Sequence, residues 1–434
     1  MRFFFTSLGC KLNQAEIEAL ERAALGQGHQ VLSDPADADW AVVNTCTVTH
    51  VAARKSRQLV RRLRRQNPRL QVAVVGCYAE MSGAAVRELE GVALVLGTGD
   101  KDQVIDRILA LEGGAASASP MVYADPIAMP ASGRTRALLP VQDGCDNRCT
   151  YCLVTIARGP SRSRPLHEVL TEAQARVEEG YQELVLTGVH IGAYGADLSP
   201  ASSLAALLRA LLVHTSAPRL RLSSIEPWDL SVELLELLAE ERVCRHLHLP
   251  LQSGCDATLR RMGRNYTTAR FAALVDAARA IDPDVAVTTD VMVGFPGEMD
   301  EEFECSLRFI EEIGFSRLHV FRYSSRPDTL AATMPDQVSP EVSRQRSERL
   351  IAIGREHSRR FHERFVGRRV QVLFESGEAG RLSKRWSGLT DHYVRVWAES
   401  PENLHNRLMT VRAIQADEDG LIGEIVDPQP DLDL

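Results

Sequence analysis

The chain has 434 residues, of which 44% are hydrophobic and 25% charged. This composition is typical of a globular protein and excludes a disordered chain, a collagen and a coiled coil. The 58 acidic and 50 basic residues give a net charge of −8, so a nucleic-acid site would have to be a local basic patch. No apolar run of about 18 residues is present, and the apolar start that ends at Lys11 is too short for a secretory signal. We therefore predict a cytoplasmic protein with no membrane partner.

Residues 1–112 alternate short apolar runs with helical patterns. The strand candidates are 2–8, 40–45 and 71–76. Asn13 and Glu16 have the spacing of a capping box and predict the start of a helix, and residues 51–66 predict a second helix. Strands that alternate with helices predict an N-terminal parallel α/β domain.

The rest of the chain divides into three stretches. Residues 113–135 are rich in small residues and proline, which indicates an interdomain linker. Residues 136–366 repeat the strand–helix pattern six times and end in a long charged helix over 339–366. Six units predict an α/β domain with a partial (β/α)6 barrel, because a full eight-unit barrel needs roughly 250 residues. Its predicted strands are 138–143, 183–188, 220–226, 246–251, 285–294 and 317–323. Residues 367–434 change to short β-type runs and predict a small β-barrel.

Three of the nine cysteines, Cys145, Cys149 and Cys152, form a CxxxCxxC motif. Three thiolates this close on one loop can hold three irons of a [4Fe–4S] cluster, which leaves the fourth iron open to S-adenosylmethionine. Structural zinc is the alternative, but zinc prefers four ligands, and His167 is too distant in sequence for a compact site. The motif follows the first predicted barrel strand, at the end where barrel enzymes place their chemistry.

A second set of cysteines is dispersed. Cys10, Cys46 and Cys77 each stand one or two residues after a predicted strand, spaced roughly one βαβ unit of about 30 residues apart. Taken singly, each is compatible with a buried apolar side chain. Because the carboxyl ends of parallel strands lie at one edge of a sheet, their shared position predicts a second three-cysteine cluster. The remaining thiols share no such register and are interpreted as core or incidental residues; they are Cys244, Cys255 and Cys305.

With these motifs the chain resembles the radical-SAM methylthiotransferases over essentially its whole length. The motifs that carry the resemblance are Gly9–Asn13, Val43–Cys46, Gly76–Cys77, Gly144–Cys152, Arg158–Gly159, Ser223–Pro227, Leu249–Gly254 and Gly294–Glu298. The resemblance implies a methylthiotransferase domain over 1–112, a radical-SAM core with a helical extension over 136–366, and an RNA-binding TRAM domain over 367–434. It also implies two [4Fe–4S] clusters and S-adenosylmethionine as cofactors.

The resemblance assigns a different task to each cysteine set. Cys145, Cys149 and Cys152 are implied to hold the cluster that reduces S-adenosylmethionine, and the dispersed set is implied to hold the cluster that delivers sulfur to C2 of an adenine. The implied partners are the anticodon loop of tRNA and an electron donor such as flavodoxin or ferredoxin.

The same resemblance implies further cofactor contacts. Gly188 would bind the amino group of S-adenosylmethionine through its backbone, and Tyr151 would lie near the adenine of the cofactor. Gln252, Ser253 and Gly294 stand at later strand ends and would contact its ribose or adenine. A plain turn at Gly188 and a packing role for Tyr151 are the alternatives.

The family divides into branches by substrate. The sequences GCKLNQ at 9–14 and NTCTVT at 44–49 look like the branch that acts on N6-threonylcarbamoyladenosine at tRNA position 37. After the first cysteine, the isopentenyladenosine branch usually has Gln-Met and the branch acting on ribosomal protein S12 has Pro-Lys. Thr155 stands where relatives commonly have proline, and residues 386–391 also diverge. The same chemistry on isopentenyladenosine or on an aspartate of S12 is the alternative, as is a non-catalytic, metal-containing RNA-binding protein.

Two stretches of sequence suit RNA. Between Val51 and Gln71 the charged residues are all basic, which predicts either a phosphate-contacting face or a solvated helix face; they are Arg54, Lys55, Arg57, Arg61, Arg62, Arg64, Arg65 and Arg69. The C-terminal stretch places basic residues beside aromatic ones, a combination that suits splayed RNA bases; they are Arg381, Lys384, Arg385, Trp386, Tyr393, Arg395 and Trp397. Trp386 and Trp397 are equally compatible with a core.

Overall fold

A computed structural model of the chain describes residues 1–47, 49–113, 134–379 and 384–426. Most of the predicted linker 113–135, and Arg381 of the C-terminal stretch, lie outside the described residues. Within these ranges no helix is both long enough and apolar enough to cross a membrane.

The N-terminal part is a five-stranded parallel sheet covered by helices on both faces. Its strands are β1 Arg2–Ser7, β2 Gln30–Leu32, β3 Trp40–Thr45, β4 Gln71–Gly76 and β5 Val92–Leu96, in the order β2-β1-β3-β4-β5. Its helices are α1 Lys11–Gly26, α2 His50–Gln66, α3 Cys77–Arg87 and α4 Val104–Leu111. Helices α1 and α4 bury apolar residues on one face of the sheet and α2 and α3 on the other. The predicted parallel α/β architecture is confirmed.

The start of α1 differs from the prediction. Cys10, not Asn13, is the N-cap residue, and no side chain caps the helix there. Asn13 lies inside the first turn, where its amide donates to Asn44 Oδ1 at 2.8 Å and to the carbonyl of Thr45. The predicted capping box is therefore wrong, because the buried Asn13 side chain satisfies polar groups of β3 instead of a helix end.

The middle of the chain forms an open half-barrel of six parallel strands. They are β6 Arg136–Pro140, β9 Glu183–Thr187, β10 Arg219–Leu222, β11 His246–His248, β12 Ala286–Val293 and β13 Arg317–Arg322. Two short antiparallel strands, β7 Gln142–Asp143 and β8 Arg162–Ser163, pair beside the first of them. Two parallel bridges, Leu220–Val243 and Ser224–His248, join the two groups of three strands. The predicted partial barrel with six strands is confirmed.

Helices cover the outer surface of the half-barrel with a large apolar core. They are α6 Leu166–Glu178, α7 Leu204–His214, α8 Val232–Glu236, α9 Asp256–Arg261, α10 Thr268–Ile281, α11 Asp300–Ile313 and α12 Pro340–Glu363. Helix α5 Val154–Arg158 follows the CxxxCxxC loop and contacts α3 of the N-terminal part. The inner surface is instead covered in part by α1, since Ala15 of α1 packs against Leu138 of β6 and Val185 of β9.

The C-terminal part is a closed five-stranded β-barrel. Its strands are β14 Arg369–Ala379, β15 Lys384–Thr390, β16 Arg395–Ser400, β17 Leu408–Ala416 and β18 Leu421–Ile425. The predicted small β-barrel is confirmed. Trp386 is 4% exposed in the core of this barrel, so of its two alternatives the core is observed.

The C-terminal barrel docks on the half-barrel through buried arginines. Arg221 is paired with Glu183 at 2.6 Å and donates to the carbonyls of Thr390 and Asp391, each at 3.0 Å. Tyr393 stacks on His246 with ring centroids 4.6 Å apart. Tyr393 therefore packs against the half-barrel, and the expectation that it faces RNA is wrong.

Candidate active site

The CxxxCxxC loop follows β6 and is held by the β7–β8 pair. Gly144 begins the loop with φ of +73°, and a Cβ there would lie 1.9 Å from the carbonyl oxygen of Pro160. Only glycine fits this close backbone approach. The amide of Cys145 then donates to the carbonyl of Gly159 at 3.1 Å, which closes the base of the loop.

Hydrogen-bond donors surround the three sulfur atoms of this loop. The amide of Asn147 donates to Cys145 Sγ and the amide of Val154 to Cys152 Sγ, each at 3.4 Å. Arg264 donates to Cys149 Sγ at 3.5 Å. Donors of this kind stabilise negative charge on sulfur, and they tune a metal centre held by such sulfurs.

Arg264 is itself buried and is fixed by a half-buried carboxylate and by aromatic rings. It forms a bidentate ion pair with Glu226, which follows β10, and its guanidinium lies 4.7 Å from the ring centroid of Trp228 and 5.4 Å from that of Tyr266. Sequence reasoning missed Arg264. The motif Ser223–Pro227 was the available signal, because its Glu226 is the carboxylate that pairs with the buried Arg264.

A histidine stands beside the first cysteine of the loop. His190 Nδ1 is 3.8 Å from Cys145 Sγ, and its Nε2 is 2.5 Å from Asp229 Oδ2. Burial favours the neutral imidazole, but the hydrogen bonds to Asp229 and Cys145 outweigh it and raise the pKa of His190 to about 10. His190 therefore adds a positive charge next to the loop at neutral pH.

The dispersed cysteines come together at one edge of the N-terminal sheet. A Cβ on Gly9 would lie 2.8 Å from Cys46 Cβ, so the loops after β1 and β3 touch. The Cys10 thiol donates to Asn13 Oδ1 at 3.0 Å. Cys77, the first residue of α3, is close enough that the other two thiols affect its pKa. The register in the sequence thus predicted the convergence of these three residues.

One thiol of each set, Cys152 and Cys77, is poorly suited to act as a nucleophile. Burial raises the pKa of Cys152 to about 12 and that of Cys77 to about 11, and the other cysteines of each set add to the effect. Activated cysteines in catalytic dyads have lowered pKa values instead. Binding of a metal would release these protons, since thiolates are the ligating form.

Buried charges join the two cysteine sets. Arg158, six residues after Cys152, donates to Glu16 Oε1 and to Asp143 Oδ1, each at 2.8 Å, and hydrogen-bonds Cys77. Lys101 pairs with Glu16 at 3.1 Å and with Asp143 at 3.5 Å. The carboxyl edge of the N-terminal sheet therefore faces the CxxxCxxC loop across Arg158.

A second arginine of the half-barrel reaches the N-terminal sheet. Arg326 follows β13 and donates to Thr47 Oγ1 at 2.8 Å, and its guanidinium interacts electrostatically with Cys46. Sequence reasoning missed Arg326, because no local pattern links it to a residue so far away in the chain.

Two of the predicted cofactor residues have unusual backbone surroundings. A Cβ on Gly188 would lie 2.7 Å from the carbonyl oxygen of Gln142, and the Gln142 side chain accepts from the amides of Val189 and His190 at 3.2 and 2.8 Å. Gln252 adopts a φ of 63°, which is uncommon for a residue with a side chain. Both residues lie beyond the carboxyl ends of barrel strands.

The other three predicted cofactor residues are held by packing or hydrogen bonds. The Ser253 hydroxyl accepts from the amide of Cys255 at 3.2 Å. Gly294 has a φ of +74°, and a Cβ there would collide with Ser343 of α12. Tyr151 meets Phe295 edge to face at 6.3 Å. A packing contact is therefore present at Tyr151, and its role toward the cofactor stays a prediction.

Two family models match the chain. Residues 139–310 match the radical SAM superfamily, and residues 2–97 match the uncharacterized protein family UPF0004. Among solved structures, the radical S-adenosylmethionine methyltransferase TsrM from Kitasatospora setae is similar with a TM-score of 0.57 at 16% identity, over 76% of this chain and 77% of that one. This likeness supports the fold alone.

Curated relatives match almost the whole chain. The threonylcarbamoyladenosine tRNA methylthiotransferase MtaB of Bacillus subtilis is 38% identical over 95% of this chain and 93% of its own length. The enzyme of the same name from Thermotoga maritima is 36% identical over 96% and 95% of the two chains. A tRNA-2-methylthio-N(6)-dimethylallyladenosine synthase from Syntrophotalea carbinolica is 31% identical over 98% and 99%. The chain therefore belongs to the radical-SAM methylthiotransferase family, in its MtaB-like branch.

Proposed function

We propose that this protein methylthiolates C2 of N6-threonylcarbamoyladenosine at position 37 of tRNA by a radical mechanism that uses S-adenosylmethionine and two [4Fe–4S] clusters. The observation that carries the proposal is the meeting of two three-cysteine sets across Arg158, in a chain 38% identical to a threonylcarbamoyladenosine tRNA methylthiotransferase.

The donor atoms suit two iron–sulfur clusters. Each set offers three thiols and no fourth cysteine, which matches a [4Fe–4S] cluster with one iron left for a non-protein ligand. Amide and guanidinium donors face the sulfurs of the CxxxCxxC loop, and Arg158 hydrogen-bonds Cys77. Cys145, Cys149 and Cys152 would hold the cluster that serves S-adenosylmethionine, and Cys10, Cys46 and Cys77 would hold the sulfur-delivering one.

The residues around the clusters orient the reactants and exclude water. When bound, the clusters and S-adenosylmethionine would supply two things: the one-electron cleavage of S-adenosylmethionine that activates an unreactive C–H bond, and the sulfur that takes the place of the hydrogen. Gly188, Gln252 and Gly294 present backbone at strand ends, where a cofactor amino group and ribose would bind. Arg264, held by Glu226, donates to Cys149 Sγ and lies close enough to Tyr151 to interact with it electrostatically. Tyr151 and Ser253 are proposed to contact the cofactor.

RNA recognition is assigned to α2 and the C-terminal barrel. Helix α2 starts directly after the Cys46 loop, and six of the basic residues at 54–69 are exposed. Arg57 and Arg64 are engaged internally, by Tyr78 and by the carbonyl of Leu70. The exposed cations would contact the phosphates of the anticodon stem while the target base is splayed into the site.

Charge reversal on α2 tests this face. We expect Arg61→Glu with Arg65→Glu to weaken tRNA binding on the order of 10-fold or more and to lower the salt slope by about one per lost contact. Both side chains are exposed, so the fold does not depend on them. Fluorescence anisotropy with tRNA between 50 and about 200 mM salt measures both effects. Arg270→Glu with Arg308→Glu, on α10 and α11, is the matched control; equal weakening in both double variants would assign the effect to net charge alone.

The reaction and the substrate are tested together by nucleoside mass spectrometry. tRNA is isolated from a host that lacks the activity, with and without the gene for this chain. A methylthio group on threonylcarbamoyladenosine is the expected result. A change in isopentenyladenosine alone would show that the reaction is right and the branch wrong, and no change in any nucleoside would exclude tRNA and direct attention to ribosomal protein S12.

The remaining partners follow from the chemistry. One-electron cleavage requires a low-potential donor, and a small protein such as flavodoxin or ferredoxin is proposed for that task. A tRNA substrate implies that the enzyme works in the cytoplasm.

A further inference from the structure

A histidine–aspartate–histidine group lies on the inner surface of the half-barrel, apart from both cysteine sets. His248 Nε2 is 3.4 Å from Asp290 Oδ1, and His319 Nδ1 is 3.5 Å from the same oxygen. The three residues come from neighbouring strands, since β11 pairs with β12 and Asp290 lies opposite His319 on β13. Sequence reasoning did not single out either histidine.

The hydroxyl of Thr288 fixes the orientation of the His248 ring. Thr288 Oγ1 is 2.9 Å from His248 Nδ1 and 2.9 Å from His246 Nε2. His248 therefore turns its Nε2 toward Asp290. His319 is the accessible member, with its side chain 40% exposed, and its Nε2 is the nitrogen left for a ligand.

Lys11 approaches the same interior from the N-terminal part. It lies one helical turn before Ala15, which packs against Leu138 and Val185, so the Lys11 side chain projects from the same face of α1. Among the described residues no carboxylate lies within ion-pair distance of its ammonium. The groups that act on it electrostatically are Tyr393, Arg136, Arg221 and Glu183.

Lys11 is the cation of this interior that has no carboxylate partner among the described residues. Arg221 pairs with Glu183 and Arg136 with Glu375 at 2.8 Å. Asp290 is shared by the imidazoles of His248 and His319. His246 Nδ1 also has no hydrogen-bond partner among the described residues, although its side chain is 3% exposed. An ammonium without a carboxylate partner can form a charge-assisted hydrogen bond with an anionic ligand.

We propose that Lys11 and His319 bind the carboxylate on the N6 substituent of the substrate adenosine, and that Asp290 and His248 position His319 for this contact. The inference rests on the proposed function, because threonylcarbamoyladenosine carries such a carboxylate and isopentenyladenosine has only hydrocarbon at that place. Lys11 directly follows Cys10 of the sulfur-delivering set, and the backbone of Asp290 bonds Gln252 of the cofactor wall at 2.8 Å. A base bound between Lys11 and Gln252 would have its N6 substituent near Lys11 and His319.

The test compares two substrates that differ only in this charge. Anticodon stem–loops carrying threonylcarbamoyladenosine or its methyl ester are given to the full-length, anaerobically reconstituted enzyme. We expect the wild type to prefer the acid, and Lys11→Met and His319→Leu each to lower the acid-to-ester ratio of kcat/KM by about 10- to 100-fold, the range for a lost hydrogen bond to a charged group. Arg317→Met removes a cation from the same strand as His319, farther from Asp290, and should keep the wild-type ratio. Lys11→Arg keeps the positive charge and should therefore retain most of the wild-type ratio.

The ratio separates recognition from folding, since a misfolded variant loses both substrates alike. If Lys11→Met misfolds in this way, His319→Leu decides. An unchanged ratio in Lys11→Met and His319→Leu, or equal use of acid and ester by the wild type, would overturn the inference. If the wild type makes no product from either stem–loop, the proposed function fails, and dissociation constants for the two stem–loops decide the inference separately. One equivalent of Zn²⁺ retained by the wild type and lost in His319→Leu would also overturn it, because the group would then be a metal site.

Discussion

The Cys149→Ala enzyme is expected to form no 5′-deoxyadenosine above the background of cluster-free protein. Cys149 is one of only three thiols in its loop, and Arg264, held by Glu226, is directed at its sulfur. With two thiols left, the loop lacks the ligands for a stable [4Fe–4S] cluster. The measurement is chromatographic detection of 5′-deoxyadenosine after reduction by dithionite, together with iron content.

The appropriate control for Cys149→Ala is Cys305→Ala. Cys305 lies on α11, away from both sets, and donates weakly to the carbonyl of Gly254. Its replacement should leave iron content and cofactor cleavage at the wild-type level. Wild-type 5′-deoxyadenosine formation by Cys149→Ala would reject the assignment of the CxxxCxxC loop, and a fall in both variants would point to general instability.

The Cys46→Ala enzyme should separate the two halves of the reaction. We expect it to lose the methylthio product completely, because one of the three thiols proposed for the sulfur-delivering cluster is gone. Some cleavage of S-adenosylmethionine should survive, since the CxxxCxxC loop is intact. Nucleoside mass spectrometry and 5′-deoxyadenosine assays on the same reaction measure the two outcomes.

Loss of both products in Cys46→Ala would have a specific structural meaning. Cys46 is buried and touches the Gly9 loop, and Arg326 lies near it. If cleavage fell together with product while Cys305→Ala stayed active, the first cysteine set would be required for the half-barrel to work, not only for sulfur delivery. Retention of the methylthio product would contradict the proposed role of Cys46.

The sequence predicted those features that repeat locally. Strand-length apolar runs located β1, β3 and β4, and the position of a cysteine after each of them predicted that Cys10, Cys46 and Cys77 converge. The six barrel strands were found for the same reason, since parallel strands buried on both faces are nearly continuous apolar runs.

Contacts between distant segments could not be predicted in this way. Arg158 and Arg326 reach the N-terminal sheet across large sequence separations, and the group of His248, Asp290 and His319 exists only because three strands pair in register. At Asn13 the local pattern was misleading. It predicted a helix cap, whereas the side chain forms buried hydrogen bonds with Asn44 and Thr45. Tyr393 was misjudged because an aromatic residue beside cations suits both RNA and a protein interface.

The buried contacts of Arg158 limit how freely the halves of such enzymes can be recombined. A transplanted N-terminal half that lacks an acid at the place of Glu16 would leave a guanidinium, 4% exposed, with one of its carboxylate partners missing. Loss of a partner from a buried ion pair costs up to about 3–5 kcal/mol. Because Asp143 still pairs with Arg158, this figure is an upper bound, but it is a large part of the stability of a typical domain. An exchange of substrate preference between branches is therefore expected to succeed when all four charged residues are transferred together; they are Glu16, Lys101, Asp143 and Arg158.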